Sequence, residues 1–243
     1  MRYAIIADIH SNLEALSAVL KNIENESPDR ILCVGDIVGY GADFHECITL
    51  VREKIDFAVA GNHDRACLGL YDISRLNAHA RSAVLWTRRN LEQEDADFLK
   101  GLNCVISLED IVMTHGSLQR PEEFNYIDDT FDADANFPLF RKRVCAVGHS
   151  HLPGIFAKKY GSAAVRLRSS GPITLEEGYS YIINSGSVGQ PRDGNPRACY
   201  AMYDTRQKTL SIKRVSYNTS AAARKIVAAG LHPFLAERIK KGN

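Results

Sequence analysis

Five apolar runs in this chain each lead straight into a short group of metal-ligating residues. Tyr3 to Ala7 precedes Asp8-Ile9-His10, Ile31 to Val34 precedes Gly35-Asp36, and Phe57 to Ala60 precedes Gly61-Asn62-His63-Asp64. Ile111 to Met113 precedes Thr114-His115-Gly116, and Val144 to Val147 precedes Gly148-His149-Ser150-His151. Runs of this kind read as buried strands. The polar groups then gather at the carboxyl ends of strands, where open α/β sheets bind their ligands.

The residue types fit a pair of metal ions better than one. Asp8, His10, Asp36, Asn62, His115, His149 and His151 are too many donors for one tetrahedral site. They suit two sites that share a carboxylate, with Asp36 as the candidate for the shared one. A two-metal site holds its ions about 3.5–4 Å apart, clamps a phosphate between them and lowers the pKa of bound water from about 15.7 toward 7. Phosphoester hydrolysis is the chemistry this invites. A lone Asp or His at a strand end is ordinarily a turn former or a helix cap, so the weight rests on the whole set. His149 and His151 would point to opposite faces of a regular strand. Both reach metal only if the chain bends there or each serves a different ion.

The five motifs in this order resemble the calcineurin-like metallophosphoesterase superfamily, with its pattern D-x-H, G-D, G-N-H-[DE], H and G-H-x-H. Asp8 to Ala15, Gly35 to Gly41 and Asn184 to Arg192 are similar to one branch of small bacterial and archaeal phosphodiesterases. That branch usually carries Pro where this chain has Ser185. The resemblance implies that Asp8, His10 and His151 hold a first metal, that Asn62, His115 and His149 hold a second, and that Asp36 bridges them. It implies that His63 touches the phosphate and protonates the leaving alkoxide, and that the two divalent ions are drawn from Mn, Fe, Zn, Ni or Co, whose identity the mixed ligands leave open. Asp64 reads as support for the turn that carries His63.

At 243 residues and 45% hydrophobic content the chain can bury a large core as one domain, spanning 1–243. A net charge of +1 gives no electrostatic footprint for a long nucleic acid, which disfavours a nuclease of the same superfamily. A small phosphoester or nucleotide is the expected substrate. The remaining alternative is a non-catalytic metal-binding scaffold of this fold, against which intact His63 and the full ligand set argue. Cys33, Cys47, Cys67, Cys104, Cys145 and Cys199 include no C-x-x-C pair, and several lie in apolar runs, as reduced buried thiols do. Strand-like sequence begins at Arg2, leaving no room for a cleavable signal, and no run approaches a membrane span. A cytoplasmic protein is expected, with the oligomeric state open.

The spacing predicts a helix after Asn12 over Leu13, Leu16, Val19, Leu20 and Ile23, and another from Phe44 to Lys54, each joining two strands. The second half is strand-rich: Gly154 to Lys158, Ala164 to Leu167, Ile173 to Leu175, Tyr179 to Ile183, Cys199 to Tyr203 and Leu210 to Val215. Both halves fit an α/β fold of four layers, and the resemblance implies an αββα sandwich of two mixed sheets flanked by helices. Residues 65–102 read as a mainly helical excursion that either packs on the outer sheet or forms a lid. Residues 117–140 read as a polar, acidic loop passing near the site. Residues 218–243 form a helical tail. Gly39-Tyr40-Gly41 and Gly186 to Gly189 lack the features of a nucleotide loop, and their glycines let backbone approach the metal centre. Arg192 is either a solvated surface cation or a bidentate fork for a second phosphate. His45, His79 and His232 match no motif and read as solvated or capping.

Overall fold

The computed structural model of the chain describes residues 1–167 and 171–243. Strand β1 (Arg2–Ile6) and β2 (Arg30–Cys33) run parallel, joined by helix α1 (Leu13–Glu26). Asn12 starts that helix by accepting the Ala15 N–H at 3.1 Å. Ala15, Leu16, Val19 and Ile23 form its buried stripe at the helical period. The device repeats through α2 (Phe44–Lys54) to β3 (Phe57–Ala58). Asn62 then opens α3 (Asn62–Cys67), followed by α4 (Ala78–Asn90) and α5 (Gln93–Gly101).

The next strands are β4 (Val105–Ser107), β5 (Ile111–Thr114) and β6 (Val144–Val147). They are followed by β7 (Gly154–Lys159), β8 (Val165–Leu167), β9 (Ile173–Thr174), β10 (Tyr179–Asn184), β11 (Ala198–Asp204) and β12 (Thr209–Val215). Among the described residues these make two mixed six-stranded sheets, ordered β3-β2-β1-β11-β12-β9 and β4-β5-β6-β10-β7-β8. β11 returns from late in the chain to pair antiparallel with β1, Tyr3 opposite Tyr203.

The sheets face each other, and the period of two along each strand explains why. Tyr3, Ile5 and Ala7 point inward with Leu32 and Val34 to meet Ile111, Met113, Val144, Ala146, Tyr181 and Ile183 of the second sheet. Ala4 and Ile6 point outward to the stripe of α1 and to α2. The other outer face, with Val112, Cys145 and Phe156, is covered by Ala133 and Phe137 around α6 (Thr130–Asn136). This is the expected αββα sandwich. Helices α7 (Thr219–Ala228) and α8 (Pro233–Lys241) form the helical tail. Among the described residues no helix is long and apolar enough to cross a membrane.

Two local features differ from the sequence reading. Residues 117–140 contain α6, held where Asn136 accepts from Ser117 Oγ at 3.0 Å and from the Leu118 N–H at 2.8 Å. β4 is an additional edge strand, three residues long and partly exposed, too short to show a pattern. The excursion at 65–102 does not resolve into one of its two alternatives. Val84 and Leu99 pack into the cluster beneath α1 and α2, while Arg75 to Asn77 rim the cleft described next.

Candidate metal centre

Asp8 and His10 follow β1, Asp36 follows β2, His115 follows β5, and His149 and His151 follow β6. All but His115 adopt a left-handed backbone, with φ between 50° and 68°. Asp and His tolerate this region better than most residues, yet it is sparsely populated and needs surroundings that enforce it. The loops after β1 and β2 enforce it together: Asp8 N–H donates to Gly35 O, His10 N–H to Asp36 O and Ser11 N–H to Ile37 O, each at 3.0 Å. The buried Asp64 carboxylate ties the neighbouring turn, accepting from the N–H groups of Asp36, Ile37, Val38 and Gly61 at 2.9–3.1 Å. This is the supporting role read for Asp64 from its place in the motif. Gly61 must stay small, because a Cβ there would overlap the Asp36 carboxylate. The positive φ at His149 and His151 also answers the spacing problem: the chain bends at both, so both rings turn into one site.

Three of the four imidazoles are aimed by what their other nitrogen touches. Nδ1 of His10, His115 and His151 meets the carbonyls of Val38, Val34 and Gln190 at 3.1, 2.8 and 2.6 Å. A carbonyl only accepts, so each Nδ1 carries a proton and each Nε2 faces the centre. There His10 Nε2 lies 3.1 Å from His151 Nε2, and His115 Nε2 lies 3.1 Å from His149 Nδ1. Asp36 Oδ1 is pinned by the His63 N–H at 2.8 Å, which leaves Oδ2 at 3.5 Å from His10 Nε2 and 3.3 Å from His115 Nε2. Asp8 Oδ1 sits 3.3 Å from His151 Nε2.

Two buried groups result, each with its donor atoms within 4.8 Å of one another: Asp8, His10, Asp36 and His151, and Asp36, His115 and His149. Asp36 belongs to both. Asn62 Oδ1 is buried with no hydrogen-bond partner. Lone pairs converging in pairs, two buried carboxylates and an unpartnered amide oxygen form a donor set that fits divalent cations.

The electrostatics agree with that fit. Burial holds the His10, His149 and His151 imidazoles well below their ordinary range, so they are neutral, as ligands must be. Burial also pushes the Asp8 carboxyl up to about 8. Against burial, the Asp36 carboxylate raises His115 to about 9, and the positive charge there in turn keeps Asp36 well below the usual carboxylate range. A cation taken up beside His115 and Asp36 would displace the proton that His115 otherwise holds. Burial lowers His63 to about 4, and its Nδ1 has no partner.

The centre opens on a cleft of about 230 Å³ whose lining includes Asp36, Asn62, His63, His149, His151 and Arg192. Arg192 is not a fully solvated cation: it is half-buried, lines the cleft and packs its guanidinium over Tyr40, 5.9 Å from the ring centroid. The sequence reading passed over Tyr126, which lines the cleft and stacks on His149 with ring centroids 4.0 Å apart, and Arg75 at the rim. Nothing in the acidic stretch around Tyr126 marks it, since its place depends on the long-range contact to His149. Of the unmatched histidines, His232 caps α8 by accepting the Phe234 N–H at 3.1 Å. His45 lies 2.9 Å from Asp95, and His79 packs on His232 and Phe234.

The family model described as the calcineurin-like phosphoesterase superfamily domain matches residues 1–208. An uncharacterized protein of Methanocaldococcus jannaschii is 39% identical over 98% of this chain and 97% of its own length. The crystal structure of a metallophosphoesterase from Sphaerobacter thermophilus superposes with a TM-score of 0.86 at 36% identity, covering 100% of this chain and 99% of that one. The phosphodiesterase YfcE of Escherichia coli is 24% identical over 84% of this chain and 88% of its own.

Proposed function

Since the chain belongs to the calcineurin-like phosphoesterase superfamily, we propose that it hydrolyses small phosphodiesters or nucleotides with two divalent cations held by its strand-end residues. Asp8, His10 and His151 would hold one cation and Asn62, His115 and His149 the other, with Asp36 shared. The observation that carries this reading is the place of Asp36 in both buried ligand groups. When bound, the cations supply Lewis acidity, neutralising the phosphoryl oxygens and making hydroxide available near neutral pH.

The chain's own residues do the rest. Asp36, pinned through Oδ1, keeps Oδ2 at a fixed place between His10 and His115, so the centre is organised before substrate arrives. His63 reaches the cleft from the first turn of α3, next to Asn62. As a new P–O bond forms to hydroxide, whose other proton has left to solvent, the P–O bond to the leaving group breaks, and His63 donates a proton to the departing alkoxide. Lowered to about 4 by burial, this imidazole is neutral at pH 7 until the phosphate anion beside it favours the charged form. Arg192 adds a fixed positive charge to the same cleft.

A diester carries a second organic group, and the cleft rim contributed by Arg75 to Asn77 and by Tyr126 gives it a wall to lie against. Supported also by the phosphodiesterase name of the Escherichia coli relative, the expectation is that bis-p-nitrophenyl phosphate is cleaved with higher kcat/KM than p-nitrophenyl phosphate under one metal. Chelation should remove both activities. The reverse preference would make the protein a monoesterase, and turnover of neither ester with metals bound would favour a scaffold.

A further inference from the structure

His149 is held differently from the other three imidazoles of the two ligand groups. His10, His115 and His151 each have a carbonyl behind the ring. His149 Nδ1 faces His115 Nε2 at 3.1 Å, and among the described residues no hydrogen bond reaches its Nε2. Its backbone is tied, the N–H donating to Asp8 Oδ2 at 3.0 Å, but that bond leaves the ring free to turn. What meets the ring is Tyr126, lying at 15° to it with centroids 4.0 Å apart. The Tyr40 contact to His10 and the Phe124 contact to His115 are edge-on and longer, at 4.6 and 5.9 Å.

Burial of its own does not place Tyr126 there. It is 47% exposed, while Phe124 before it and Ile127 after it are buried. Between them, Asn125 O accepts the Ser117 N–H at 2.8 Å, which closes the loop two residues beyond His115. A Cβ on Gly116 would come within 2.5 Å of that same oxygen, so the loop is pressed against the turn that carries His115. The loop thus leaves one candidate ligand of the second cation and lays an aromatic ring on another. A stacked ring fixes the plane of an imidazole through contact area and ring attraction, where a hydrogen bond would otherwise aim it.

We infer that Tyr126 is the positioning residue for His149, doing by stacking what a backbone carbonyl does for the other three imidazoles. Affinity for the second cation then depends on the loop that carries Tyr126, and affinity for the first does not. The inference rests on the two-cation reading for what His149 would hold. The ring performs this role and the hydroxyl has no part in it.

Calorimetric titration of the chelated protein with Mn²⁺, in the absence of substrate, follows uptake of each cation. Tyr126→Ala should weaken one uptake step by about 10- to 100-fold, the usual cost of losing an outer partner of a metal ligand, and leave the other unchanged. Tyr126→Phe keeps the ring and should keep both. The side chain is half exposed, so its truncation spares the core. Relaxation of carbon-13-labelled histidine in the chelated proteins supplies a second readout. The His149 ring should be rigid in the parent and in Tyr126→Phe, and mobile in Tyr126→Ala. Equal weakening of both steps, an unmoved titration, an unmoved His149 ring, or a Phe variant as weak as the Ala variant would overturn the assignment. A residue that only walls the cleft for substrate would raise KM without moving a titration made in its absence. Failure of the two-cation reading is separable: a parent that takes up one cation removes that reading, while ring mobility in the chelated proteins still decides whether Tyr126 holds His149.

Discussion

Asp36→Asn is expected to remove hydrolysis by roughly 10³-fold or more, because a cation centre contributes several kcal/mol of charge stabilisation and each tenfold corresponds to about 1.4 kcal/mol. The substitution keeps an oxygen to accept the His63 N–H, now at 2.8 Å. It replaces Oδ2, which stands 3.5 and 3.3 Å from Nε2 of His10 and His115, with an amide N–H₂ that has neither the charge nor a free lone pair for a cation. The chelated protein should also be less stable than the parent near neutral pH, since the buried ion pair between Asp36 and the charged His115 is lost. Cation affinity should fall at both ligand groups. Thermal melts of the chelated proteins, read beside metal titrations, separate the two effects. Retained activity with full metal loading would show that Asp36 is not shared.

His63→Ala is expected to keep both cations and lose roughly 10²–10⁴-fold in kcat, the usual size of a general-acid contribution. His63 is absent from both ligand groups, and its Nδ1 is unpartnered. The loss should be largest for alkyl diesters, whose alkoxide needs a proton. It should shrink for p-nitrophenyl esters, whose leaving group is already stable as an anion. Equal losses across leaving groups would make His63 a phosphate-positioning residue. Loss of a metal in His63→Ala would mean that truncation disturbs the Asp36 carboxylate, which the His63 N–H holds.

The sandwich and the gathering of motifs were legible because the strands that carry them are short apolar runs stopped by polar residues. Tyr3 to Ala7 alternates between the inner core and the face under α1, and Asn12 caps that helix as its position predicts. The path of the loops was not legible. His149-Ser150-His151 reads as an extended segment with opposed side chains, and only the positive φ at both histidines turns them together. That conformation is imposed by contacts distant in sequence, such as the His149 N–H to Asp8 Oδ2 at 3.0 Å.

The same limit hid the cleft's outer parts. Tyr71, Phe124, Tyr126 and Arg75 carry no local signal, because their roles are contacts with His115, His149 and one another. Arg192 reads from sequence as either a solvated cation or a phosphate fork, because its seat on Tyr40 is a contact across the fold. β4 and α6 escaped for a simpler reason, since one is three residues long and the other lies in a polar stretch anchored by Asn136. Ser185, where the branch usually carries Pro, donates its N–H to Val147 O at 3.1 Å, a bond that Pro could not make. The loop is thus tied to β6 by a hydrogen bond in place of a fixed ring.

Metal titration of the chelated protein, followed by elemental analysis and bis-p-nitrophenyl phosphate turnover on the same samples, tests the central claim most directly. The account predicts saturation at two cations per chain, with hydrolysis rising only as the second is taken up. Saturation at a single cation with full turnover would contradict it.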